Sequence, residues 1–174
     1  MEFIYSNYHE GEGGDVARNA AHFTPEELAM DHALLMGGGA GDHIVDIASG
    51  IGMLSYACLW RSYYHTPIKS ITLIEINPAY SDLSRRLLTV MSAHNESRTV
   101  IDMNFVNANI YDQRMWMSAS TMVEGGMWDL ALSNPPFAAC SKEDRELATP
   151  WMNYIGKRDV MAVELAMRYA KRGG

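Results

Sequence analysis

No stretch of this 174-residue chain approaches the ~18 consecutive apolar residues that a membrane-crossing helix needs. The first residues, Met1-Glu2-Phe3-Ile4-Tyr5-Ser6, lack the basic segment and apolar core of a secretion signal. The sequence therefore carries no membrane or export signal, and the expected location is the cytoplasm. Cysteine is scarce as well: Cys58 and Cys140 are the only two, too few for a disulfide framework or a thiolate metal site, and small buried hydrophobes are the reading they favour. Cationic charge is also in deficit. A net charge of −7 argues against a broad basic clamp on nucleic acid, which draws on clustered Lys and Arg. It leaves room for a catalytic module whose grip on DNA or RNA comes from another chain.

What is present is ordinary for a globular domain: 48% apolar and 20% charged residues. Residues 1–21, with Gly11-Glu12-Gly13-Gly14, show little periodicity and read as an N-terminal arm, followed by one domain over 22–174. Phe23-Thr24-Pro25-Glu26-Glu27-Leu28 has the form of a helix start. Thr24 fits the cap, Pro25 the first helical position and Glu27 the third, with Phe23 and Leu28 at the positions of a hydrophobic staple. That helix is expected to run to about Met36, with Leu28, His32, Leu35 and Met36 on its buried face, and to stop at Gly37-Gly38-Gly39. His32 reads as a packed histidine, since no His or Cys stands at metal-ligand spacing from it.

His43 to Ala48 reads as a buried strand, Ser49-Gly50-Ile51-Gly52 as a tight turn, and Met53 to about Tyr63 as a helix, which together make the first half of a βαβ unit. Gly50 and Gly52 let the backbone approach a ligand closely, and Asp46 supplies a carboxylate beside them. A dinucleotide loop would show a third glycine three positions beyond Gly52; Ser55 stands there. A carboxylate next to the glycines suits a cationic or hydroxyl-rich ligand better than a phosphate.

The second strand, Ile71 to Ile76, contains Glu75, where a carboxylate can accept from both hydroxyls of a ribose; an ordinary surface acid is the alternative. Asn77 caps a helix from Pro78 with Tyr80, Leu83, Leu87 and Met91 on its inner side. A third strand spans Val100 to Val106, after which Asn109 or Asp112 could reach a purine edge or simply make an Asx turn. A helix follows over Met115 to Met122.

The fourth strand, Trp128 to Ser133, runs into Asn134-Pro135-Pro136-Phe137. Two prolines end a strand and hold Asn134 at the rim of the sheet. The Asn side-chain carbonyl and the Pro135 main-chain carbonyl offer two acceptors to one amino group, and Phe137 offers a flat apolar face. An ordinary strand-ending turn is the alternative for this tetrapeptide alone. The segment from there to Arg158, with Lys142, Arg145, Trp151, Tyr154 and Lys157, is aperiodic and reads as a substrate lid whose aromatics either stack on a base or pack on the core. A last helix, capped by Asp159, is expected to bury Val160, Val163, Met167 and Ala170 and to end at Lys171-Arg172 and Gly173-Gly174.

In this order, Asp46 to Gly52, Glu75 and Asn134 to Phe137 resemble the S-adenosylmethionine-dependent amino-methyltransferases. Among these, the chain is most similar to adenine-N6 DNA methyltransferases: the methylation subunits of type I restriction-modification systems and phage relatives. His22-Phe23-Thr24-Pro25 resembles the segment that contacts the methionine part of the cofactor. The resemblance implies an α/β, Rossmann-like class I methyltransferase sheet with flanking helices, here without the C-terminal strands. It implies S-adenosyl-L-methionine as cofactor, with Asp46, Ala48, Gly50 and Gly52 along its methionine and sugar, Glu75 on its ribose and Asn109 near its adenine. Phe23 and Thr24 would close over the methionine end, where Asn134 also borders the cofactor. Catalysis would fall to Asn134, Pro135, Pro136 and Phe137, which hold a flipped adenine. DNA would be reached through a partner such as a specificity subunit, or through a second copy of the chain. Phe137, where the family more often has Tyr, also occurs in RNA-methylating relatives.

Overall fold

The computed structural model describes residues 23–35, 43–64, 68–93 and 100–171. The arm at 1–21, together with His22, Met36, the glycine stop at 37–39 and the C-terminal 172–174, lies outside the described residues. Strand β1 is His43–Ile47, β2 Ser70–Glu75, β3 Asp102–Asn107 and β4 Leu130–Ser133. All pairings are parallel, in the order β3-β2-β1-β4. The architecture is an α/β fold with a parallel sheet and flanking helices.

Side chains alternate across a strand, and the two faces of the sheet accordingly feed two cores. Ile44, Ile71, Leu73 and Leu132 point to one side and pack with α1 (Glu26–Leu35), α2 (Met53–Tyr64) and α3 (Pro78–Ala93). Val45, Ile47 and Ile74 point to the other. There they meet α4 (Gln113–Ala119), α5 (Lys142–Ala148) and α6 (Arg158–Tyr169) through Met115, Trp116, Ala148, Met161 and Leu165. Near-continuous burial of β1 and β2 is what helices on both faces of a parallel sheet demand.

The connection reverses at β1: β2 and β3 stack to one side of it and β4 to the other. That places the loops after β1 and after β4 side by side at the C-terminal rim, the topological switch point where open α/β sheets bind ligands.

Four expectations need correcting. Helix α1 buries Ala29 and Ala33, whereas Leu28 and Leu35 are 45% and 83% exposed and His32 is exposed. Small residues let α1 approach α2 closely, and this outweighs the size of the leucines. The partner of Phe23 is Tyr80, met edge-on at 5.2 Å, rather than Leu28. Helix α6 is likewise rotated from expectation: Met161, Ala162 and Leu165 are buried, while Val160, Val163 and Met167 are exposed. Buried Ala170 follows the helix and pairs in parallel with Trp128, just before β4. Finally, the expected lid contains helix α5, whose start is a capping box: Ser141 Oγ accepts from Asp144 N and the Asp144 carboxylate accepts from Ser141 N.

Candidate functional site

The turn after β1 is built from backbone conformations that side chains resist. Ala48, Gly50 and Gly52 all have positive φ, at 57°, 56° and 81°. For Ala48 that geometry costs roughly 1 kcal/mol, held in place by its neighbours: Ser49 N donates to the Ile74 carbonyl and Gly52 N to the Ser49 carbonyl. At Gly52 a Cβ would stand 3.0 Å from Ser84 Cβ and 3.2 Å from Leu73 Cδ2. Gly52 therefore serves the close approach of α3 and β2 to the turn. A Cβ at Gly50 would have only Phe23 nearby, at 3.8 Å.

Glu75 braces this turn from the tip of β2. One carboxylate oxygen accepts from Gly50 N at 2.8 Å and the other from Asn77 N at 2.7 Å. Each oxygen keeps a lone pair for a further donor. The group is buried, and burial raises its pKa against the opposing pull of the Asn77, Gly50 and Ile76 N–H groups.

Asp46 lies beneath the turn and is 1% exposed. Ser55 Oγ donates to its Oδ2 at 2.7 Å, while its Oδ1 and the buried Ser49 Oγ have no hydrogen-bond partner among the described residues. Burial pushes the Asp46 carboxyl up to about 7, the Ser55 hydrogen bonds pull it down, and the charge of Glu75 adds to the rise. A buried carboxylate oxygen without a donor is costly unless something cationic or donating fills the space in front of it. Phe23, Thr24, Ala48, Gly50 and Asn134 line that space together with Asp46 and Ser49.

Asn134 is fixed from two sides. The preceding Ser133 Oγ donates to the Ile47 carbonyl at 2.8 Å, tying β4 to the end of β1. The Asn134 Nδ2 donates to Thr24 Oγ1 at 2.9 Å. Ala48 and Asn134 also border a second, larger cleft that continues over Glu75, Ile76 and Tyr80 to Asn109, Ile110 and Asp144, with Pro136 and Arg158 on its wall. The two clefts adjoin at Ala48 and Asn134, which line both, and together make up a rim channel with Asp46 in one part and Asp144 in the other. Pro135 and Phe137 stand outside the lining residues, and the Phe137 ring is 65% exposed beside the channel.

At the far end, Asn109 makes the Asx turn, its Oδ1 accepting from Tyr111 N at 2.9 Å. Its Nδ2 donates to Asp144 Oδ1 at 3.0 Å. Asp112 is instead the cap of α4 and an ion-pair partner of exposed Arg114. Asp144 also receives Arg158 Nε and Nη2, at 3.1 and 2.7 Å. Burial works to raise its pKa, but the hydrogen bonds from Asn109, Arg158 and Ser141 outweigh it and hold the carboxyl below its usual range. Sequence reasoning missed Asp144 altogether; the Ser141-x-x-Asp144 capping pattern was the available signal. It placed Arg158 at the end of an aperiodic substrate lid, and that segment is tied to its surroundings by hydrogen bonds. Cys140 N donates to the Gly156 carbonyl, Arg158 N to Ala138, and Trp151 Nε1 to Tyr111 and Leu147. Both cysteines are buried. Among the described residues no group of His, Cys, Asp and Glu is placed to hold a metal ion, and no helix is long and apolar enough to cross a membrane.

No protein-family model matches the chain, and no curated protein does. Solved structures do share its fold. A candidate class I S-adenosylmethionine-dependent methyltransferase from Listeria monocytogenes superposes with a TM-score of 0.58 at 15% identity, over 92% of this chain and 46% of that one. The type I restriction-modification methyltransferase subunit from Streptococcus thermophilus gives 0.58 at 19% identity, over 87% and 32%. A candidate RNA methyltransferase from Pyrococcus horikoshii gives 0.51 at 14%, over 97% and 65%. The chain thus spans between about a third and two-thirds of the length of these proteins. The fold of this chain is that of the Rossmann-like class I methyltransferases.

Proposed function

We propose that the chain binds S-adenosylmethionine in the rim channel and transfers its methyl group to an exocyclic amine, the N6 group of adenine in DNA. The observation that carries this reading is Asn134, followed by two prolines at the switch point, standing where the two parts of the channel adjoin, with a buried acid in each. The channel's chemistry follows the shape of the cofactor. Glu75 has lone pairs left for the two ribose hydroxyls, and Ile76, Tyr80 and Ile110 offer apolar surface to the adenine beside Asn109. The unpartnered Asp46 Oδ1 and Ser49 Oγ supply acceptors at the end where the methionine ammonium would lie, with Phe23, Thr24, Ala48 and the bare Gly50 backbone around it. The cofactor supplies an already activated methyl group.

What the chain contributes is position. Asn134 Oδ1 and the Pro135 carbonyl accept from the two N–H groups of the amine, which turns the nitrogen lone pair toward the methyl carbon. The bound cofactor would supply the methyl carbon and take up the electron pair of the broken carbon–sulfur bond, while the amine held by Asn134 and Pro135 gives up one proton to water. Phe137, exposed beside the channel, stacks on an extruded base. The Streptococcus thermophilus protein is a subunit by its description. This chain, acidic overall, fits a similar division of labour, in which a partner or a second copy supplies the hold on DNA.

Incubation with methyl-labelled cofactor and unmethylated DNA, RNA or protein tests the reading. Label is expected in DNA adenine, with or without a specificity partner. In Asn134→Ala, turnover is expected to fall by about a hundredfold or more while calorimetric cofactor affinity stays within a few-fold. Label in RNA or protein alone would move the acceptor class, and no label in any acceptor would defeat the proposal.

A further inference from the structure

The stretch that follows Phe137 gathers positive charge from two distant parts of the chain. Ala139 and Lys157 face each other in an antiparallel bridge, closed by Cys140 N donating to the Gly156 carbonyl and Arg158 N to the Ala138 carbonyl. That pattern brings two Cα atoms to ~4.5 Å with their side chains on one side, so Lys157 emerges beside the residue two positions past Phe137. Arg145, on α5, reaches the same stretch: its Nε donates to the Cys140 carbonyl at 3.3 Å. Both cations are exposed, as is Phe137.

Neither cation has a carboxylate partner among the described residues. The others are engaged. Six face a carboxylate, Arg85 lies over the Phe105 ring, and Arg61 and Lys69 have interactions of their own. The acids nearby in sequence do not cancel the pair. Asp144 is bonded to Arg158 and Asn109, Glu146 lies 3.7 Å from Lys142, and the Oδ1 of Asp159 is buried. Glu143 stands two positions before Arg145 on its helix, a spacing at which side chains do not face each other. Nor does folding account for Lys157. It occupies the cap position of α6 without a side-chain cap bond, where a cation opposes the helix dipole.

We infer that Arg145 and Lys157 contact the phosphates of a nucleic-acid strand whose extruded base lies on Phe137. This inference rests on the methyl-transfer reading and gives the acidic chain a local grip of its own on that substrate. An extruded nucleotide brings its phosphates with its base, and a guanidinium and an ammonium take them as charge-assisted donors. Two such contacts position a strand and carry no sequence information, so a partner's hold on the duplex is complemented and not replaced.

The test follows binding of a short fluorescent adenine-containing DNA strand over a salt series. It compares wild type, Lys157→Gln, Arg145→Gln and the double variant with Arg86→Gln, which removes an Asp82-paired cation on α3 and controls for net charge. Each lost contact is expected to lower the slope of log affinity against log salt by about 0.7. The double variant is expected to bind about tenfold more weakly at low salt, equally for strands of different sequence, with calorimetric affinity for S-adenosylmethionine within about twofold. In methyl transfer to DNA its KM is expected to rise about tenfold with kcat within a few-fold. Arg86→Gln keeps the wild-type slope.

A double variant indistinguishable from Arg86→Gln overturns the inference. So does a wild type that leaves the strand unbound, or that binds a polyglutamate peptide in its place, which would make the pair a docking point for an acidic protein. Should Arg145→Gln disturb the Cys140 contact and the fold, Lys157→Gln decides alone: the slope falls with Tm unchanged, and an unchanged slope overturns the inference. If the wild type transfers no methyl group, the methyl-transfer reading fails, and the salt slopes still decide the phosphate contacts.

Discussion

Two buried aspartates stand in the two parts of one channel, and their environments are opposites. Asp144 is saturated: Asn109, Arg158 and its own capping box supply donors to both oxygens, and its carboxyl is held below the ordinary range. Asp46 has Ser55 on one oxygen and no partner among the described residues on the other, and its carboxyl is pushed up to about 7 by burial. The first acid is satisfied by the protein itself. The second becomes favourable only when a cation or donor arrives from outside. The difference teaches which end of the channel is finished by folding and which by binding.

The sharpest way to break that contrast is to remove each acid in turn. Asp144→Ala strands the half-buried Arg158 guanidinium and takes the acceptor from Asn109 Nδ2 and Ser141 N as well, and is expected to cost about 3 kcal/mol, visible as a large drop in Tm. Asp46→Asn relieves a buried charge and is expected to raise Tm at pH 8. If both variants melt alike, the two sites are not the different things described here.

pH gives an effect of comparable size. Because the folded pKa of Asp46 lies above its ordinary value of 3.8, the folded protein holds that proton more tightly than the unfolded chain does. Its contribution to stability is therefore greatest below pH 4 and is lost as pH rises through about 7, by up to ~4 kcal/mol. Asp144 acts with the opposite sign: its lowered pKa stabilises above the ordinary carboxylate range and is lost in acid. Denaturant melts of wild type and Asp46→Asn between pH 5 and 8 are expected to converge at the acid end and to separate at the alkaline end. Smallest of all, Ser55→Ala removes the hydroxyl that lowers the Asp46 pKa. A carboxyl-carbon NMR titration is expected to move upward by about one pH unit.

The contrast also marks what the sequence could show. Three of the four strands were readable because each is a short apolar run ended by its own chemistry, a glycine turn after β1, an acid at the end of β2, and Asn-Pro-Pro after β4, whereas β3 is more polar and less buried. Helix faces were harder. The leucines of α1 and the valines of α6 were expected inside; in α1 Ala29 and Ala33 are buried instead, because close approach favours small side chains, and in α6 the buried face is turned to Met161, Ala162 and Leu165. The contact of Asn134 with Thr24 spans 110 residues, and that of Asp144 with Arg158 spans 14 residues of an aperiodic stretch. Such pairs have no local signature, since the fold alone brings them together. Asn109 shows the remaining gap: its type and position mark a turn and a ligand contact equally well, and the structure adds a third role, as a donor to Asp144.

The central claim is that the unfinished end of the channel is completed by a sulfonium cofactor. Calorimetric titration of the purified protein with S-adenosylmethionine at pH 8 tests it most directly. The account predicts one molecule bound per chain, with affinity that falls about tenfold or more in Asp46→Asn and survives Asn134→Ala. Absence of binding in the wild type, or binding indifferent to Asp46, would contradict it.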